Sequence, residues 1–184
     1  MSKAHDLGLL ALRLGFGGAA AAHGAQKLFG WFGGGGIEGT GAFFESAGFT
    51  PGKRNALFGG LAEGVGGAAV ALGLGTGPAG AALTGNMVVA SSVHQGFFNT
   101  SGGYELPAAY GLVGSVLTLT GAGRYSLDSV TRGVLDRPWM RAVAYASAVG
   151  ASIAIIGARR KELASRPEPE PEADAVGRDA ATQE

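Results

Sequence analysis

The chain has 184 residues, of which 35 are glycine, 46% are apolar and only 15% are charged, with a net charge of zero. Soluble domains usually carry about 25% charged residues, so the composition excludes disorder for most of the chain and argues against a water-soluble fold. The balanced charge argues against nucleic-acid binding, and the lack of cysteine excludes disulfides and thiolate metal sites.

Five apolar segments are long enough to cross, as helices, a hydrocarbon core about 30 Å thick. A stretch such as GVGGAAVALGL does not alternate apolar and polar residues, as the strands of a membrane barrel do. We therefore predict an all-α fold: a transmembrane four-helix bundle with a fifth membrane helix and a disordered C-terminal tail. The predicted spans are residues 7–25, 55–74, 79–98, 106–122 and 139–158.

Within these spans, small residues recur four positions apart, which predicts close approach of the helix backbones. Lipid gives apolar helices little drive to associate, so the close contact that small residues allow carries more weight than in a soluble protein. The pairs are Gly60 with Gly64, Gly67 with Ala71, Gly111 with Ser115, and Gly150 with Ala154.

The segments outside the spans differ in character. Residues 26–54 are rich in aromatic side chains, which predicts an interfacial aromatic belt. Within this segment, Phe43, Phe44 and Phe49 predict a short interfacial or re-entrant helix over residues 39–47. Residues 123–137 hold five charged side chains and are predicted to form a water-exposed linker. Alternating proline and glutamate residues near the C-terminus predict a disordered tail.

This organisation divides the chain into a four-helix membrane core over residues 1–128, a linker and fifth membrane helix over residues 129–161, and a tail over residues 162–184. Arg13 interrupts the first apolar segment, which favours a retained span over a cleaved signal. Lysine and arginine are more frequent on the side of the tail, so the positive-inside rule predicts that the tail of this multi-pass chain is cytoplasmic. The N-terminus lies outside if the fifth segment spans, and inside if that segment only lies on the membrane.

Four ionisable side chains fall inside the predicted spans: Arg13, His23, Glu63 and His94, with Asn86 as a polar companion. Such groups are costly in lipid and usually face the interior of a bundle. At about 1.5 Å per residue, Glu63, His94 and His23 fall in one half of the bilayer, and Arg13 approaches Glu63 from the other half. These four residues form the predicted central polar site.

Three interpretations of this site stay open. A buried Arg13–Glu63 pair would hold the bundle together. A quinone site would use histidine as hydrogen-bond donor and Glu63 as the proton-exchanging group. A zinc or iron site would use His23, Glu63 and His94 as ligands; because no two of them have the i, i+4 spacing of a helical metal motif, we predict no metal. The residues predicted at the entrance are Gln26, Lys27, Tyr104 and Glu105.

Six motifs, each weak alone, form a specific combination. They are LLALRLGFG around Arg13, HGAQKLFGWFGG from His23, GTGAFFESAGFTP from Gly39, LAEGVGGAAVALGLGT around Glu63, HQGFFNTSGGYE from His94 and TGAGRYSLD from Thr120. Together they resemble the DoxX family of bacterial integral membrane proteins over roughly residues 6–128. The resemblance implies a four-helix transmembrane bundle in the bacterial plasma membrane and kinship with the small membrane subunit of thiosulfate:quinone oxidoreductases. It also implies a link, known in actinobacteria, to a complex with a superoxide dismutase and a sulfurtransferase.

The resemblance and the polar site together predict a membrane component of a redox system, either quinone-linked or concerned with oxidative stress, that is not catalytic alone. Glu63 would exchange protons, while His23 and His94 would donate hydrogen bonds to a quinone. The predicted partners are the lipid bilayer and soluble redox enzymes such as a superoxide dismutase and a sulfurtransferase. The alternatives are a membrane scaffold for soluble partners and a small-molecule transporter.

Overall fold

A computed structural model describes residues 2–167 of the chain. These residues are helical apart from turns and loops, and no strand occurs among them, so the predicted all-α class is confirmed. Seven α-helices follow one another as α1 (Lys3–Phe29), α2 (Gly36–Ser46), α3 (Gly52–Leu72), α4 (Thr76–Ser91), α5 (Glu105–Thr120), α6 (Leu127–Val130) and α7 (Pro138–Ser165).

The long helices pack in a simple order, with α1 along α3, α3 against α4, and α4 between α5 and α7. The backbone N–H of Arg124 donates to Asp6, which brings the start of α1 beside the segment that follows α5. Arg159 near the end of α7 donates to the carbonyls of Ala47 and Ser92. The bundle therefore has an Asp6 end and an Arg159 end, and α2 lies at the Arg159 end beside α1 and α3.

Glycine brings α1 and α3 into backbone contact. A Cβ atom added at Gly17 would lie 2.5 Å from the backbone nitrogen of Ala71, and one at Gly67 would lie 2.5 Å from that of Ala21. A Cβ at Gly24 would overlap the backbone of Gly64. The predicted close packing is confirmed for the small residues of α3.

The last predicted small-residue pair behaves differently. A Cβ added at Gly150 on α7 would have no atom within 4 Å, so this position makes no close helix contact within the part of the chain that the structure describes. On the inner face of α7, Ser152 donates to the Gly85 carbonyl of α4 at 2.9 Å. The helix therefore packs through Ser152 rather than through Gly150.

Two helices among residues 2–167 are long and apolar enough to cross a membrane. They are α3 and α7, with mean hydropathies of 1.3 and 1.5. The α7 helix exposes large apolar side chains such as Val143 and Ile153 around most of its surface. An uncovered apolar helix is expected where lipid rather than water is the surrounding solvent.

Helix ends depart most from the predicted spans at two places, the ends of α4 and α7. The α4 helix ends at Ser91 instead of residue 98, because the hydroxyls of Ser91 and Ser92 donate back to the carbonyls of Met87 and Val89. His94 therefore lies in the turn after α4. The α7 helix continues to Ser165, so the start of the predicted tail is helical. The rest of that tail, residues 168–184, lies outside the described residues.

The prediction of a water-exposed linker over residues 123–137 is wrong for its two acidic side chains. Asp128 is buried and accepts the backbone N–H groups of Gly75 and Thr76 at 2.7 and 3.0 Å. Asp136 is also buried and accepts the N–H of Gly77 at 2.9 Å. The first amides of a helix lack partners within the helix, so these carboxylates serve as caps for α4 supplied by a distant segment.

Replacing Asp128 by alanine is expected to lower the free energy of unfolding by about 2 kcal/mol, because two amides at the start of α4 lose a charged acceptor. Denaturant titration of the full chain in detergent measures this loss. Val130→Ala, at an exposed position of α6, is the control and should stay within about 0.5 kcal/mol of the unchanged chain. An equally small loss in Asp128→Ala would show that the cap contributes nothing to stability.

Candidate functional site

A buried carboxylate lies inside the bundle with partners from two other helices. Glu63 on α3 is 4% exposed. Its Oε2 forms an ion pair with Lys27 Nζ from the last turns of α1, and its Oε1 accepts the Asn86 side-chain amide of α4 at 2.9 Å. We call Lys27, Glu63 and Asn86 the Glu63 cluster. Both carboxylate oxygens are satisfied, as a charge away from water requires.

The Glu63 cluster borders a cavity of about 590 Å³ between α2, α3, α4 and α7. Four phenylalanines supply much of its wall, namely Phe43, Phe44, Phe49 and Phe58. The opposite wall is built from small residues of α4 and α7, which include Gly85 and Ala148. An apolar cavity with a few polar groups at one place is the usual form of a small-molecule site.

His94 adds a further polar group to the cavity lining. Its Nδ1 lies 2.8 Å from the Ala90 carbonyl. A carbonyl can only accept, so Nδ1 carries the proton, and in the neutral ring Nε2 is left as an acceptor. The turn after α4 thus places beside the cavity a histidine whose tautomer is set by the backbone.

Arg159 joins three elements at the cavity's end. Besides its hydrogen bonds to Ala47 at 2.8 Å and Ser92 at 3.0 Å, its guanidinium lies over the Phe49 ring, 5.4 Å from the ring centroid. The carbonyls belong to the ends of α2 and α4, where intrahelical donors run out. Phe49 is itself part of the cavity wall. Arg159 therefore fixes α7 against the elements that enclose the cavity.

Replacing Arg159 by alanine is expected to lower the free energy of unfolding by about 2 kcal/mol, since two charged hydrogen bonds and a cation–π contact are lost. Its neighbour Arg160 is exposed, so Arg160→Ala is a matched control with an expected change below about 0.5 kcal/mol. Thermal unfolding in detergent compares the two variants. Equal losses would mean that the contacts of Arg159 do not secure α7.

The structure brings together only part of the predicted site. Glu63 and His94 line one cavity, and Lys27, predicted at the entrance, also lines it. Gln26, also predicted at the entrance, accepts from His23 Nδ1 at 2.9 Å, and both lie outside the cavity lining. The His23 ring is exposed and lies edge-on to Tyr110 of α5.

The interpretation in which Arg13 pairs with Glu63 is wrong, because Lys27 and Asn86 are the partners of Glu63. Arg13 is fully buried and donates to the Tyr125 carbonyl near the Asp6 end. Its guanidinium also lies against Gly73, where a Cβ atom would overlap it and where φ is 68°. Arg13 thus fastens α1 to the turn after α3 and to the segment after α5, and it contributes nothing to the cavity.

The two remaining entrance residues, Tyr104 and Glu105, lie at the start of α5, and both are exposed. Tyr104 is exposed and packs edge-on against Phe97, with ring centroids 5.6 Å apart. Glu105 is exposed and accepts the Asn99 N–H at 3.1 Å. Neither residue lines the cavity.

The three ligands of the metal site considered above are likewise not assembled. No group of three histidine, cysteine, aspartate or glutamate side chains suited to a metal occurs among residues 2–167.

The sequence interpretation did not find the aromatic wall or the role of Arg159. The aromatic character of Phe43, Phe44 and Phe49 is visible in the sequence and predicts an interfacial position. The sequence pattern does not show that these side chains line the same cavity as Glu63. Arg159 was counted only as a charge that orients the chain. Both features depend on how α2 and α7 pack against α3 and α4.

An all-helical chain with two apolar helices long enough to cross a bilayer, and with a buried ion pair between its helices, belongs to the class of helical membrane proteins. Residues 8–96 match the family model named DoxX. Residues 8–96 therefore belong to the DoxX family, which confirms the resemblance of the motifs in this part of the chain. The match covers most of α1 and all of α2 to α4, and leaves α5 to α7 outside. No curated protein and no solved structure is significantly similar to the chain.

Proposed function

We propose that the chain is a multi-pass component of the bacterial plasma membrane in which α1, α3, α4, α5 and α7 cross the bilayer. The exposed apolar surface of these helices and the DoxX match support this arrangement. Cationic residues flank the helices at the Arg159 end, so the positive-inside rule places that end and the tail in the cytoplasm. They include Lys53, Arg54, Arg160 and Lys161.

The Glu63 cavity is the proposed site for a quinone that serves as the redox substrate. The observation that supports this proposal is the position of the Glu63 cluster at the edge of an apolar cavity with four phenylalanines. A quinone ring packs well against aromatic side chains, and its carbonyl oxygens accept hydrogen bonds from the free N–H groups of Lys27 and Asn86. No other cavity residue combines burial with a carboxylate as Glu63 does.

Quinone reduction consumes two electrons and two protons. Glu63 is the proposed group that passes protons to the substrate oxygens, because it is buried beside the cavity and held by two donors. His94 Nε2 is placed to accept a proton from a quinol hydroxyl in the reverse direction. The electrons come from a soluble oxidoreductase bound at the membrane surface, so the chain supplies the quinone site and is not catalytic alone.

Quinone binding to the purified full chain tests this proposal. The chain in lipid nanodiscs is titrated with a naphthoquinone that carries a short isoprenoid tail. Asn86→Leu, which removes a proposed donor to the quinone, and Glu63→Gln, which removes the charge that holds Lys27 beside the cavity, are each expected to weaken binding by about tenfold, which corresponds to the loss of one good polar contact. Glu105→Gln, which removes a carboxylate outside the cavity, is the matched control and should bind as the unchanged chain does. Equal quinone affinity in all four proteins would show that the Glu63 cavity is not the quinone site.

A purification from native membranes in mild detergent tests the partners. Mass spectrometry of the eluate, for proteins and for quinones, is compared with an unrelated membrane protein carried through the same steps. Enrichment of soluble redox enzymes together with a stoichiometric quinone supports the proposed role. Redox enzymes without quinone would indicate a scaffold instead. Neither partner nor quinone would contradict the redox role and leave transport as the alternative to test.

A further inference from the structure

We infer that the ligand of the Glu63 cavity enters sideways from the bilayer, between α2, α3 and α7. The opening is framed by Phe43, Phe58 and Ile155, which we call the lateral portal. The inference rests on the proposed function and narrows it: the ligand is an uncharged, ring-bearing molecule dissolved in lipid, and a water-soluble metabolite or ion does not use this route.

The three portal residues both line the cavity and face the surroundings. Phe58 is 63% exposed, Phe43 58% and Ile155 37%, yet all three belong to the cavity wall. The cavity is open on part of its surface, so lining side chains that are this exposed lie at its mouth. The mouth is therefore framed by apolar side chains from three helices, a rim that suits contact with hydrocarbon rather than with water.

The depth of the lateral portal in the bilayer also supports entry from the hydrocarbon layer. Phe58 lies four residues along α3 from Arg54, and Ile155 lies four residues along α7 from Arg159. At about 1.5 Å per residue, both are about 6 Å further into the bundle than the nearest cation. Cations near helix ends mark the headgroup level. The portal thus opens just inside the hydrocarbon layer, where the ring of a lipid-dissolved quinone can reach it.

Arginine contacts tie helices together at the Arg159 end of the cavity. Arg159 lies over the Phe49 ring and donates to carbonyls at the C-terminal ends of α2 and α4. Arg166 donates to the carbonyls of Ser46 and Glu45 at 2.8 and 2.6 Å, which ties α7 to α2 a second time. A ligand from the aqueous side would have to break these contacts. One from the bilayer has only to displace the Phe58 or Ile155 side chain.

A portal residue has a kinetic signature that a binding residue lacks. Narrowing the route slows entry and exit by the same factor, so the rates change while the dissociation constant does not. Exchange of bound isotope-labelled naphthoquinone for unlabelled naphthoquinone in the nanodisc lipid measures the exit rate. Equilibrium titration of the same protein gives the dissociation constant.

Ile155→Trp is expected to slow exchange by about tenfold, and Ile155→Ala to speed it by about threefold, each with a nearly unchanged dissociation constant. Leu119→Ala, at a 78% exposed apolar position of α5 away from the cavity, is the control and should leave both quantities unchanged. Unchanged exchange in both portal variants, with normal affinity, would overturn the portal and leave the quinone site standing. Failure of the unchanged chain to bind naphthoquinone would instead overturn the proposed function, and the portal with it.

Discussion

Glu63→Gln is expected to lower the free energy of unfolding by about 3 kcal/mol. The substitution keeps an oxygen for the Asn86 amide, whose present distance to Glu63 is 2.9 Å. It removes the negative charge that compensates Lys27. The ammonium group is then left largely buried without a counter-charge, and that uncompensated charge is the source of the loss.

A double variant separates this cause from simple damage to the core. Lys27→Met combined with Glu63→Gln removes both charges while keeping similar volumes, so most of the lost stability is expected to return. Denaturant unfolding in detergent of the two single variants and the double variant measures the coupling between the residues. If the double variant loses as much as the two single variants together, the ion pair contributes no coupling and its structural role is refuted.

Gly17→Ala is the second change with a large expected effect. A Cβ at this position would lie 2.5 Å from the Ala71 nitrogen and 2.6 Å from the Gly67 oxygen. Both atoms belong to the α3 backbone, which cannot yield as a flexible side chain can. The two helices must separate, and overpacking of this kind costs about 1–3 kcal/mol. Separation also moves the two helices that carry Lys27 and Glu63, so quinone binding is expected to weaken as well.

The adjacent glycine provides the control. A Cβ at Gly18 would have no atom within 4 Å, so Gly18→Ala is expected to be neutral or to stabilise α1 by up to about 1 kcal/mol through its higher helix propensity. Thermal unfolding in the same detergent compares the two variants, which differ only in the helix face that gains a methyl group. Stability changes of the same sign and size would show that α1 and α3 are not in close contact at Gly17.

The Lys27–Glu63 ion pair also shows why the structure brings together only some residues of the predicted site. Counting residues along the predicted spans places Arg13 near Glu63 in depth, because both lie inside apolar segments. The glycine contacts set a different register between α1 and α3: Gly24 lies at Gly64, and Gly17 lies at Gly67 and Ala71. In that antiparallel register, the residue one turn beyond Gly24 reaches Glu63, and that residue is Lys27.

The same register carries Arg13 past the end of α3. It lies against Gly73 and bonds the Tyr125 carbonyl, about 15 Å along α3 from Glu63 at 1.5 Å per residue. Hydropathy cannot reveal this, because it places a residue only to within a few positions along a span and does not specify the partner helix. His94 was placed in a span for the same reason, although α4 ends at Ser91.

The sequence by itself determined the class of the protein: apolar segments and few charges specify helices in lipid, recurring glycine specifies close helix contact, and the DoxX motifs specify the family. It also singled out Glu63 and His94, because an ionisable residue among apolar neighbours is conspicuous at any register. Only the tertiary structure decided that Lys27 and Asn86 hold Glu63, and that α2 and α7 enclose the cavity. The physical reason is that composition sets which solvent a helix tolerates, whereas backbone contacts between helices set which of its side chains meet.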